Sequence, residues 1–246
     1  MGIKAVILLN EAGLPICRCI MDLKNKPVES LIAAIIGLAN ELDAGDVSHA
    51  EFEKLSMIFV RGCVNKALIL TLITDKVSHL YYLYGIYLLN KLERALPENV
   101  DVVSRSMEAA AREILVELIP LLERIPDFLA ESFQKVGSLF GPMMYSSLML
   151  LLYRKFNMDP LIIFVKDPKK FYKELKNIVG DSAIFLVRYV SRYLVEEYGL
   201  RTRPDEIADW FFKIISLDEL DAVKKFRDLI EVVIDDLIEK EMSLEY

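Results

Sequence analysis

The sequence predicts an α+β protein, in which an N-terminal antiparallel sheet with two helices (strand–strand–helix–strand–strand–helix, ββαββα) is followed by an all-α domain. Three observations carry this. β-Branched and apolar runs bounded by turn residues are concentrated in the first 74 positions. Two segments of helical length alternate with them in the order expected of an α+β layer structure. Beyond Pro97-Glu98-Asn99 the apolar spacing is helical almost throughout. The expected domains are therefore 1–97 and 98–246, and 246 residues suffice for two cores.

Residues 3–10 form the first apolar run, Glu11-Ala12-Gly13-Leu14-Pro15 a turn, and residues 16–21 the second strand. Pro27 stands where a helix can begin, and residues 28–42 carry Leu31, Ile32, Ile35, Ile36, Leu38, Ala39 and Leu42 on one broad face. Asp43-Ala44-Gly45-Asp46 stops it. Residues 52–61 read as a third strand, Gly62-Cys63-Val64-Asn65 as a turn, and residues 66–74 as a fourth strand. Asp75 or Ser78 caps the next helix, which runs to about Leu96.

That helix has no polar back. Residues 80–89 read Leu-Tyr-Tyr-Leu-Tyr-Gly-Ile-Tyr-Leu-Leu, and a helix that only covers a sheet should show charge on its far side. It must be covered twice, by its sheet and either by the rest of the chain or by another subunit. Tyr81, Tyr82, Tyr84 and Tyr87 are the candidate partner or dimer contacts.

Past residue 97, helices are expected over 102–119 (ended or kinked at Pro120), 126–136, 142–157, 169–179, 183–198, 205–215 and 217–241. Asp167-Pro168 has the form of an N-cap followed by proline at the first helical position. The type of the apolar stretch 161–165 is left open by its pattern.

Composition excludes more than it asserts. The chain is 54% hydrophobic with a mean hydropathy of +0.31, which raises the possibility of a membrane span. The longest uncharged stretch, residues 136–153, is split by Gly141-Pro142 and reads as a buried helix rather than a span. The apolar start, residues 5–9, is too short for a signal peptide. Net charge is −1 over residues 1–99, +2 over 100–204 and −8 over 205–246. The lysines at 166, 169, 170, 173 and 176 are interrupted by Asp167 and Glu174, the pattern of a solvated helix face rather than a nucleic-acid surface.

Cys17, Cys19 and Cys63 have no framework spacing, which points to reduced thiols in the cytoplasm, with Cys17 and Cys19 in the core. The glycines form no phosphate-binding loop, and no Cys or His spacing suits zinc. His49 falls in a polar loop and His79 in the first turn of the aromatic helix, neither beside a nucleophile in a recognisable arrangement. Glutamine occurs once, as Gln134, amid abundant Glu, Lys, Leu and Ile, a bias found in proteins of thermophiles.

The run Ala5-Val6-Ile7-Leu8-Leu9-Asn10-Glu11-Ala12-Gly13-Leu14-Pro15-Ile16 resembles the first hairpin of longin and roadblock-type domains, which are profilin-like modules. The following helix, strands and helix fit the same order, so the resemblance covers residues 1 to about 97. Roadblock domains commonly begin with a helix that is missing here, which favours the longin-like branch. The resemblance implies a module that dimerises or docks on partners, often Ras-like small GTPases, and that has no active site.

Phe140-Gly141, Tyr153-Arg154-Lys155-Phe156, Asp167-Pro168-Lys169-Lys170-Phe171 and Ile178-Val179-Gly180-Asp181-Ser182-Ala183 are similar to an archaeal helical family, the Nitrosopumilus output domain, across residues 136–200. That likeness implies a signalling output module. The expectation is a non-enzymatic, cytoplasmic adaptor or regulator of archaeal origin, with a protein partner or a second copy and with no cofactor, metal or nucleic acid. The alternative is a sensor whose helical domain lines an apolar pocket for a lipid-like molecule with Met143, Met144, Met149, Phe164 and Phe185.

Overall fold

The structure, a computed structural model, describes residues 2–11, 13–20, 28–41, 47–63, 68–97 and 104–243. Ala12, Met21, Pro27, the 42–46 helix stop, Val64, Asn65, the boundary residues Glu98 and Asn99, and Val102 lie outside them. Two compact units divide the chain, residues 1–123 and 124–246.

In the first unit β1 (Ile3–Leu9) and β2 (Pro15–Ile20) form the expected hairpin. Gly13 sits at φ 78°, where a side chain is disfavoured, and the Asn10 N–H donates to the Leu14 carbonyl at 2.9 Å to close the turn. Then follow α1 (Val28–Glu41), β3 (His49–Glu51), β4 (Ser56–Arg61), β5 (Ile69–Thr74), α2 (His79–Ala95) and α3 (Arg105–Leu122). The strands make one antiparallel sheet in the order β2-β1-β5-β4-β3. The strand expected over 52–61 is shorter, β4 at Ser56–Arg61, and a further strand, β3, precedes it at His49–Glu51. The Phe52 N–H donates to the Leu55 carbonyl at 2.9 Å, so exposed Glu53 and Lys54 form a turn between β3 and β4.

Alternation along the strands feeds two faces. Ala5, Ile7, Leu9, Met57, Phe59 and Ile73 pack against Ile32 and Ile36 of α1. The opposite face brings together Val6, Leu8, Ile58, Val60, Leu70 and Leu72 by register, and it receives α2. The approach is close. A Cβ built on Gly85 would lie 2.7 Å from Val60 Cγ2 and 2.9 Å from Leu72 Cδ1.

Ser78 caps α2, accepting from the Leu80 N–H at 3.3 Å. Every residue from 81 to 90 is buried. The second cover is α3, whose Met107, Ala111, Leu115, Ile119 and Leu122 form a buried stripe against α2 and the edge strand β2. Thus α3, assigned by the Pro97 boundary to the helical region, packs with the sheet. Pro120 does not end it. Lying in the last turn, it costs the helix one hydrogen bond, and the chain leaves at Glu123, whose carboxylate accepts the Ile3 N–H at 2.7 Å.

The second unit is helical: α4 (Phe128–Leu139), α5 (Pro142–Phe156), α6 (Pro160–Lys166), α7 (Pro168–Val179), α8 (Ser182–Tyr198), α9 (Pro204–Ser216) and α10 (Glu219–Ser243). The stretch left open at 161–165 is the short helix α6. Asp159 and Asp167 cap α6 and α7, accepting from the Leu161 N–H at 2.9 Å and the Lys170 N–H at 2.8 Å. Phe164, projected by α6, is the hub of the core. Its ring centroid lies 5.4 Å from Phe133, 5.2 Å from Phe171, 5.6 Å from Phe211 and 5.5 Å from Phe226, joining α4, α7, α9 and α10. Tyr198 on α8 donates to Glu131 on α4 at 2.5 Å.

Two stability outcomes follow from these contacts. Gly85→Ala is expected to destabilise by about 1–3 kcal/mol despite the better helix propensity of alanine, because Val60 and Leu72 leave no room for a methyl group. Phe164→Ala is expected to cost about 3 kcal/mol. Denaturant titration of each variant against the parent chain checks both.

Candidate functional site

α5 is the helix whose apolar residues the fold leaves uncovered. Among its described side chains only Leu152 is buried. Around the outward arc stand Met143, Met144, Leu150, Leu151 and Tyr153, all exposed, with Ser146 and Ser147 between them and Arg154 and Lys155 at the C-terminal end. Soluble helices show the reverse pattern, with charge outward.

The corner between α4 and α5 extends this face. Gly141, at φ 108°, caps α5 and Pro142 occupies its first turn. A Cβ on Gly137 would fall 2.3 Å from the Tyr145 ring, so α4 and α5 meet with no space between them. The tight corner holds Leu139 (73% exposed), Phe140, Met143 (83% exposed) and Met144 outward. From α8, Phe185 (60% exposed) and Tyr189 add to the patch, with the Tyr189 ring centroid 6.4 Å from that of Phe140. Beneath them Phe140, Met144, Tyr145, Leu148 and Leu186 border a groove of only about 50 Å³. Contiguous exposed apolar surface of this kind marks interaction sites.

The structure therefore does not gather the five expected pocket residues around one cavity. Met143, Met144 and Phe185 lie at the surface, Met149 is half-buried in α5, and Phe164 is spent in the aromatic core. Their apolar character is legible in sequence, but their placement depends on how α4, α5 and α8 pack.

The tyrosines of α2 are also not where an interface needs them. Tyr81, Tyr82, Tyr84 and Tyr87 are between 1% and 8% exposed, covered inside the first unit by the sheet and α3. This corrects their assignment as partner contacts. Tyr82 reaches the sheet edge, where its hydroxyl donates to the Ser48 carbonyl at 2.9 Å and lies 3.1 Å from His49 Nδ1. His49 thus belongs to β3 rather than to a loop, while His79 is the buried first residue of α2.

Cys17 and Cys19 pair with Leu8 and Val6 by register, and so share the α2 side of the sheet. Cys17 is buried and Cys19 half-buried. Burial pushes both thiols above their ordinary pKa, outweighing the pull of Arg112 on α3, which is opposite to what an activated nucleophile requires. The lysines at 166, 169, 170, 173 and 176 are all exposed, with Lys169 donating to the Leu217 carbonyl at 2.6 Å and Lys176 lying 3.5 Å from Asp181.

A second concavity, about 130 Å³, lies between α9 and α10, bordered by Trp210, Lys213, Ile214, Lys225 and Asp228. Lys225 sits 3.9 Å from Asp228, three residues on along α10, so its charge is partly satisfied. Among the described residues no group of three or more His, Cys, Asp or Glu is placed to hold a metal ion, and no helix is long and apolar enough to cross a membrane. No family model, curated protein or solved structure matches the chain.

The burial of Tyr82 has a measurable consequence. Desolvation lifts its hydroxyl from 10 to about 12, against the smaller opposing effect of the bond to Ser48. A group whose folded pKa exceeds its unfolded value stabilises fully below the unfolded pKa and loses that contribution as pH rises through the folded one. Stability is therefore expected to fall between pH 10 and about 12, with Tyr82 contributing about 2–3 kcal/mol. Unfolding midpoints across this range, for the parent and for Tyr82→Phe, check it. The variant should show the shallower decline.

Proposed function

We propose that the protein is a non-enzymatic adaptor or regulator, in which the longin-like first unit engages a protein partner of the Ras-like small-GTPase class or a second copy, and the helical second unit acts as output. The observation that carries this reading is the exposed apolar face of α4, α5 and α8, which is built for contact rather than for catalysis.

The first unit supports the other half of the reading. Its strand–strand–helix beginning and the Asn10–Pro15 turn are the features that resemble longin domains, and its sheet carries helices on both faces. The partner surface of that unit lies outside α2, because α2 is core. The GTPase class comes from the likeness of fold, which is an associational ground.

Retention of purified Ras-like GTPases, loaded with GDP or with a GTP analogue, on the immobilised full-length chain tests the reading. Light scattering of the chain alone runs in parallel. Binding in one nucleotide state with a Kd of about 1–10 μM, or a dimer at micromolar concentration, is the expected outcome. A monomer that retains no GTPase in either state would defeat it.

A further inference from the structure

We propose that the outward face of α5, with the α4–α5 corner and Phe185, is a docking surface for an anionic lipid bilayer. This deepens the reading of the second unit as output, on which it rests, by stating what that face contacts.

Three observations point to a bilayer. The first is charge. From Ser132 to Met158 there is no Asp or Glu across 27 residues, in a chain of net charge −7, while Lys135, Arg154 and Lys155 stand at the two ends of the apolar face. Lys135 and Arg154 are exposed, and Lys155 lies 3.7 Å from Glu174. Asp181, at the start of α8, lies 3.5 Å from Lys176, and Asp127 and Asp159, beyond the two ends of the acid-free segment, are the carboxylates that act on Tyr145. Arg188, beside Tyr189, is turned away towards Asp205 and Asp209 and adds nothing to the rim.

The second is shape. Met143, Leu139 and Phe185 protrude, each at least 60% exposed. Protruding apolar groups need a medium that yields around them, as the boundary between headgroups and acyl chains does. The third is composition. Tyr153 and Tyr189 flank the patch, and amphipathic rings of this kind favour the depth where apolar and polar zones meet. The face meets the bilayer from outside it, since no described helix is long and apolar enough to cross one.

Flotation of the full-length chain with vesicles tests the proposal. One set is phosphatidylcholine alone and the other phosphatidylcholine mixed with phosphatidylglycerol. Recovery with the mixed vesicles, at least about tenfold above that with phosphatidylcholine and falling with added salt, is expected. Met143→Asp and Phe185→Asp replace exposed side chains, and circular dichroism should show their folds unchanged. Each should lower recovery about tenfold, and the double variant Lys135→Glu/Arg154→Glu should remove the preference for anionic lipid.

Equal recovery of parent and Met143→Asp would overturn the proposal. So would a parental dimer that Met143→Asp converts to monomer without any vesicle binding, which assigns the face to a second copy. Absence of flotation alongside intact GTPase retention defeats the bilayer assignment alone and leaves the adaptor reading standing.

Discussion

A helix that is apolar all round cannot end at a single layer, and α2 imposes this constraint on the whole first unit. Its inner side sits so close to the sheet that only glycine fits at residue 85 opposite Val60 and Leu72. Its outer side would leave tyrosines and leucines in water unless another helix covered them. α3 supplies that cover with one residue per turn, Met107, Ala111, Leu115 and Ile119, and reaches across to β2 as well. The unit therefore extends past Pro97 to Glu123.

The helical unit obeys the same rule until α5. The short helix α6 drives Phe164 into contact with four other rings, and the remaining helices arrange their apolar stripes around that hub. α5 contributes one fully buried residue to this and leaves most of its large side chains outside. Apolar groups on both sides are thus satisfied for α2 within the chain and left unsatisfied for α5. The contrast lies in packing, because the two helices read alike as amino acids.

This explains what the sequence made legible. The succession of strands and helices along the chain (β3 apart), the β1–β2 hairpin, the Asp-Pro helix starts and nearly every helix of the second unit follow from local chemistry: alternation, turn residues, caps and prolines. The need of α2 for two covers was also visible in its lack of charge. Which element covered it was not, since Val102 to Ile119 reads as an amphipathic helix equally suited to either unit. Met143 and Phe185 show the same limit. An apolar side chain at helical spacing signals contact, and only the arrangement of neighbouring helices decides whether that contact is internal. The β3–β4 turn was hidden because Phe52 and Leu55 continue an apolar pattern through the exposed Glu53-Lys54 pair.

The position of the single tryptophan gives the architecture an optical consequence. Trp210 lies on α9 in the second unit, 42% exposed, bordering the same concavity as Lys213 and Lys225. Indole emission therefore follows the helical unit and is blind to the sheet. The tyrosines of α2, held in fixed asymmetric surroundings, give near-ultraviolet circular dichroism a strong contribution from the first unit. Indole emission thus views one half, while phenol dichroism, with four tyrosines on α2 and seven beyond residue 123, views both. Whether the two curves coincide on heating is a direct readout of how far the halves unfold as one.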